Sequence, residues 1–302
     1  MGHDHLLEKR APGAGGRLVR ALVVNSAFLL LEVALGIIAR SMALLGDAAH
    51  NFSDSLALTL SLVAVRMAAR PPTRRKTYGY HRLGILAAFV NSAGVILICF
   101  FLFYESLRRL ARPVEVRGWM VVLVAGLGFL VNGTVALWLR KDRADLNLRS
   151  AFLHLLTDAA VSLGVVVSGT VILLTGWYYA DPLITMVIGL LILVSAFQIL
   201  RESAHILMES VPLGVNYEDI QEDMLSIPGV LGVHDLHIWE IGSRQYSLSA
   251  HLVVSDTLVS RAQELASEVK DMLRRDHRVI HAILELESEP CAPGEVCHFD
   301  SP

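Results

Sequence analysis

His50 and Asp54 lie four residues apart, and so do His154 and Asp158. On an α-helix that separation puts both side chains on one face. Each pair therefore offers one imidazole nitrogen and one carboxylate oxygen in the same direction. Two such pairs brought together make a four-donor set that suits Zn²⁺, which prefers tetrahedral coordination at about 2.0–2.2 Å. Both pairs are embedded in long apolar stretches. A central ionisable group in a bilayer costs about 2.5–3.5 kcal/mol on insertion scales, so such stripes must face a bundle interior or a water-filled cavity. A bound divalent cation offsets the two carboxylate charges. The first stripe also carries Asp47, three residues before His50, and Asn51 beside it. These two are accessory candidates, on an entry path or in a polar network. Asn25 and Glu32, on one face of the preceding apolar stretch, read as packing or polar-network groups.

The elements that must position these residues follow from composition. The chain has 302 residues, 54% hydrophobic and 18% charged, and its mean hydropathy is +0.52. An ordinary soluble domain has about 25% charged residues, so a multi-pass membrane protein in a lipid bilayer is expected. A net charge of -3 argues against a nucleic-acid partner. Three cysteines do not make a disulfide framework. Six segments reach membrane-spanning length: 18–39, 42–66, 83–107, 118–139, 150–175 and 182–207. Basic residues crowd the N-terminal stretch (Lys9, Arg10, Arg17, Arg20), the second loop (Arg70, Arg74, Arg75, Lys76) and the fourth (Arg140, Lys141, Arg143, Arg149). By the positive-inside rule this places both termini in the cytoplasm, and the expected location is the inner (plasma) membrane. The third loop, with Arg108, Arg109, Arg112 and Arg117, is the exception.

Past Val211-Pro212-Leu213-Gly214 the composition turns soluble. Helical character at 216–227, strands at 230–240 and 244–254, an amphipathic helix at 258–276 and a strand at 279–287 give the order α-β-β-α-β, a small two-layer α+β domain. The expected organisation is a disordered tail over 1–17, a six-helix transmembrane domain over 18–208, a cytoplasmic domain over 209–287 and a flexible tail over 288–302. The tail holds Cys291, Cys297 and His298, whose spacing is longer than usual for a zinc site.

Several motifs resemble the cation diffusion facilitator family. Ser41 to Asp54 looks like that family's second span. Similar matches are Asn25 through Glu32 and Gly36, Thr77 to Ala88, His154-Leu-Leu-Thr-Asp158, Ala180-Asp-Pro-Leu183 and Val233-His-Asp-Leu-His-Ile-Trp239. The resemblance covers about residues 18–287. It implies six transmembrane helices, a C-terminal cytoplasmic ferredoxin-like domain, a homodimer, and metal export coupled to proton entry. The two-His, two-Asp set is similar to that of the zinc branch, the bacterial cobalt-zinc-cadmium type, so Zn²⁺ is the expected substrate, with Cd²⁺, Co²⁺ or Ni²⁺ as further cargo. The resemblance also implies regulatory zinc sites in the cytoplasmic domain, with His234, His251 and His281 at matching positions. Glu264, which can also coordinate zinc and joins these three as a candidate ligand, stands where some relatives have a helix histidine, and Ile283 where they have an aspartate. His81 is the one histidine in a loop dominated by Arg and Lys, so a loop metal site is not expected. His237 and His277 read as surface groups.

Metal ligands must be deprotonated, so metal and protons compete for such a site, and histidine titrates near neutral pH. Alternating access with His50 and His154 carrying protons is the expected mechanism. The alternatives are a membrane metal sensor and a metalloenzyme using the same site. An enzyme is disfavoured: there is no His-Glu-x-x-His, and two His plus two Asp leave no open metal position.

Overall fold

The computed structural model describes residues 14–139, 146–242 and 245–289. The Gly2-His3-Asp4-His5 start, the basic residues Arg140, Lys141 and Arg143, and the Cys291, Cys297 and His298 tail lie outside these residues.

The chain runs through α1 (Ala14–Ala39), α2 (Met42–Ala68), α3 (Leu83–Ala111), α4 (Gly118–Leu139), α5 (Leu146–Thr175) and α6 (Ala180–Leu207), then α7 (Tyr217–Leu225), β1 (Val230–Gly242), β2 (Gln245–Val254), α8 (Val259–His277) and β3 (Val279–Glu287). It divides into two compact units: residues 1–59 with 91–197, and residues 60–90 with 198–302.

The first unit is helical. Leu83–Ala111, Gly118–Leu137, Phe152–Thr175 and Ala180–Leu207 are each long and apolar enough to cross a membrane. The described apolar stretch of α1, Ser26–Ala39, is shorter. The first half of α2 is polar for a span because it carries Asp47, His50, Asn51, Ser53 and Asp54. The core of this unit is built from small and branched residues, among them Ala43, Leu44, Val121, Val124, Ala125 and Val165. Leu30, Leu97, Phe101, Leu174 and Val194 point outward and are well exposed. This inside-out distribution of large apolar side chains is what a lipid solvent permits. Helices α4 and α5 approach closely at two glycines. A Cβ on Gly118 would lie 2.7 Å from the Gly169 carbonyl oxygen, and one on Gly169 would lie 2.9 Å from Val121 Cγ1.

Local chemistry sets the helix ends. Arg40 adopts a left-handed conformation (φ 56°) that breaks α1 from α2. Ser41 then caps α2, its Oγ accepting from the Leu44 amide at 3.2 Å. Gly176, with φ 68°, terminates α5. Pro182 falls in the first turn of α6, where its missing N–H costs nothing.

The second unit holds the small sheet. Its strand order is β1-β2-β3, with β1 and β2 antiparallel and β2 and β3 parallel. The parallel step needs a crossover, which α8 supplies. One face packs Val233, Leu236, Ile238, Leu248, Leu252 and Val254 against Ile220 and Met224 of α7 and Leu265, Val269 and Leu273 of α8. Asn216 caps α7 through its side-chain oxygen. The other face carries His251 and the alternate residues His281, Ile283, Glu285 and Glu287 of β3.

Candidate metal centre

In the first unit α2 and α5 bring all four expected residues to one place. The His50 Nε2 lies 3.2 Å from Asp158 Oδ1 and 3.8 Å from Asp54 Oδ2. The His154 Nε2 lies 3.6 Å from Asp54 Oδ2 and 3.7 Å from Asp158 Oδ2. Four donors at about 2.0–2.2 Å from a central Zn²⁺ stand about 3.3–3.6 Å from one another along the edges of a tetrahedron. The observed separations bracket that range. Donor atoms of His50, Asp54 and Asp158 all fall within 4.8 Å of one another, while His154 stands outside that tighter group and joins it through Asp54 and Asp158. Side-chain exposure climbs across the set, from 9% at Asp158 and 18% at His50 to 29% at Asp54 and 54% at His154. A cation would therefore be approached from the His154 side.

Asp47 and Asn51 are engaged differently. Asn51 Nδ2 donates to Glu32 Oε2 at 2.9 Å. Ser162 Oγ donates to Asp47 Oδ2 at 3.0 Å. Both residues belong to a polar network with Glu32, Asp47 one turn before His50 along α2 and Asn51 between His50 and Asp54.

Asp181 is a further residue whose role the sequence did not reveal. It is fully buried at the start of α6. Its carboxylate accepts from Ser41 Oγ, from the Met42 amide at 2.7 Å and from the Ala43 amide at 3.3 Å. Arg109 Nη1 stands 3.7 Å away. A charged acceptor on the first amides of α2 complements the helix dipole, and it anchors the helix that carries His50 and Asp54. The signal was present in Ala180-Asp-Pro-Leu183, a polar residue at an apolar helix start.

In the second unit His234, His251 and Glu287 form another cluster with donor atoms within 4.8 Å of one another. His234 and His251 are paired across β1 and β2, with ring centroids 5.1 Å apart. Glu287 Oε2 lies 2.9 Å from His234 Nε2, and its Oε1 lies 2.8 Å from His251 Nδ1. Asp235 and Glu285 flank His251 at 3.6 and 3.5 Å. His281 is not drawn into this group. It sits opposite Ser247 in the register, four residues along β2 from His251, with its ring edge-on to Tyr78 at 5.9 Å. Glu264 is also apart, on the exposed face of α8, paired with Arg261 at 2.7 Å. Glu287 was missed in the sequence. The signal was period-two alternation in β3, which puts Glu285 and Glu287 on the same face as His281.

His237 pairs with Asp235 and His277 with Asp223. His81 belongs to neither cluster among the described residues and packs beside Gly242.

Comparison with known proteins agrees with this layout. Residues 18–208 match the family model of the cation efflux transmembrane domain, and residues 212–289 that of the cation efflux protein cytoplasmic domain. The zinc transporter ZitB of Pectobacterium atrosepticum is 37% identical over 99% of this chain and 92% of its own length. The metal cation efflux system protein CzcD of Cupriavidus metallidurans is 34% identical over 99% and 93%. A cadmium, cobalt and zinc/H(+)-K(+) antiporter of Bacillus subtilis is 33% identical over 96% and 93%. The helical unit, the small mixed sheet and these matches define a multi-pass membrane protein of the metal-transporter class. The chain belongs to the cation diffusion facilitator family, and its relatives are zinc-type transporters rather than enzymes.

Proposed function

We propose that this protein exports Zn²⁺ from the cytoplasm in exchange for protons, with His50, Asp54, His154 and Asp158 as the tetrahedral transport site. The observation that carries the reading is the set of four nitrogen–oxygen separations of 3.2–3.8 Å, two of which, His50–Asp158 and His154–Asp54, link α2 to α5. The names of relatives that transport zinc, or cadmium, cobalt and zinc, support the cargo and extend it to Cd²⁺ and Co²⁺. The antiporter name of one relative supports the exchange.

The chemistry follows from the donors. With the site open to the cytoplasm, His50 and His154 are neutral and present lone pairs, and the two carboxylates cancel the charge of the ion. The bundle then rocks and opens the site to the far side. Protons entering there bind the imidazoles and carboxylates, and the metal leaves because a protonated ligand cannot coordinate it. The protonated site returns and releases its protons inside.

In this reading α1 to α6 all span the inner membrane with both termini cytoplasmic. The C-terminal domain is ferredoxin-like and pairs with a second copy. His234 and His251, joined by Glu287 in place of His281 and Glu264, form a regulatory zinc site there. The test is zinc accumulation, reported by a fluorescent chelator, in vesicles containing purified protein under an imposed pH gradient. Accumulation that follows the gradient and disappears in Asp54→Ala and Asp158→Ala is the expected result. Accumulation that ignores the gradient overturns the exchange.

A further inference from the structure

The network beside the metal centre contains two carboxyl groups that nothing in the transport site uses. Glu32 of α1 and Asp47 of α2 are each only 1% exposed. Two of their four oxygens have an assigned donor. Glu32 Oε2 accepts from Asn51 Nδ2 at 2.9 Å, and Asp47 Oδ2 accepts from Ser162 Oγ at 3.0 Å. Asn51 follows Asp47 by four residues on the same face of α2, so its bond to Glu32 brings the two carboxyls next to each other, where they interact through their side chains. Glu32 Oε1, however, is buried with no donor to accept from. The two facts fit together in one way. A carboxylate only accepts, so two ionised carboxylates cannot bond to each other. Placed side by side away from water, they also repel strongly. One proton on either group removes a charge and supplies the missing donor.

We propose that Glu32 and Asp47 hold a single proton between them, a carboxylic acid donating to a carboxylate, and so form a proton site separate from the four metal-binding residues. The groups that face the pair fit one retained negative charge. On α2 they are His50, one turn away, and the neutral Asn51. On α5 they are the hydroxyl of Ser162 and the more distant carboxylate of Asp158. Helix α4 contributes no ionisable residue. As a reserve of exchangeable protons the pair rests on the exchange reading above; as a protonated pair it does not.

Infrared spectroscopy of the full-length protein reconstituted in lipid reads the shared proton directly. Glu32→Gln and Asp47→Asn are suitable variants because each amide reproduces the neutral acid, donating to the partner while its oxygen keeps the bond from Asn51 or Ser162. At neutral pH the wild type is expected to show an acid carbonyl stretch that shifts in D₂O, lost in both variants and kept in Asp158→Asn. Absence of that band in the wild type, or its persistence in Glu32→Gln and Asp47→Asn alike, overturns the proposal. Vesicle transport under a pH gradient is read separately. Wild-type uptake indifferent to the gradient would end the exchange reading while leaving the band in place, whereas gradient-driven uptake without the band would end only the shared-proton proposal.

Discussion

His50 Nε2 and Asp158 Oδ1 stand 3.2 Å apart although 108 residues separate them in the chain. One is on α2 and the other on α5, and each has its own partner four residues along its helix. The contact converts two separate stripes into one cluster. Removing either residue should therefore break the same object. Zinc affinity is expected to fall by more than about 100-fold in His50→Ala or Asp158→Ala, since loss of even an outer partner of a metal ligand costs about 10–100-fold. The double variant should bind no worse than the weaker single one, because groups acting as a unit are not additive. Isothermal titration of detergent-solubilised protein measures all three.

Acid should weaken zinc binding, and the sign follows from the ligands. An ordinary histidine has a pKa of about 6.5, and a proton on the imidazole removes the lone pair the metal needs. Once protonated, each histidine that must shed a proton costs about tenfold in affinity per pH unit, so two cost up to about 100-fold per unit. Zinc titrations between pH 7.5 and 5.5 should show that steepening fall. A flat profile would mean that the histidines are not ligands.

Asp181 is expected to govern stability more than metal affinity. Replacing it with alanine strips the acceptor from the Ser41 hydroxyl and the Met42 and Ala43 amides, all buried, and leaves Arg109 with Glu105 as its carboxylate partner. Breaking such a charged, buried cluster costs about 3–5 kcal/mol. A lower thermal midpoint in detergent is the expected readout, with Asp181→Asn milder because it keeps one acceptor oxygen.

The cytoplasmic cluster can be separated from the membrane site by counting metal. Glu287 bonds both His234 and His251. Glu287→Ala should lower the zinc bound per full-length chain by about one equivalent at equilibrium dialysis, and His281→Ala should leave the count unchanged. A Glu287→Ala protein that binds as much zinc as the wild type would remove Glu287 from the site.

Sequence alone determined what is local. The i, i+4 geometry of a helix puts His50 with Asp54 and His154 with Asp158 wherever the helices lie. Hydropathy and turn chemistry placed the long helices and the α-β-β-α-β order of the second unit. The tertiary structure decided everything that depends on which faces meet. It joined α2 to α5 at distances a metal can bridge. It also set the parallel register of β2 and β3, in which His251 lies opposite Glu285 and Val253 opposite Glu287, while His281 lies opposite Ser247. A one-sided strand pattern names the residues on a face but not their neighbours across the ladder, so Glu287 was hidden while His281 was prominent. The same reason hid Asp181 and the Glu32–Asp47 pair. Each is a polar residue whose partner is supplied by another helix. Burial makes such partners obligatory, but only packing determines which they are.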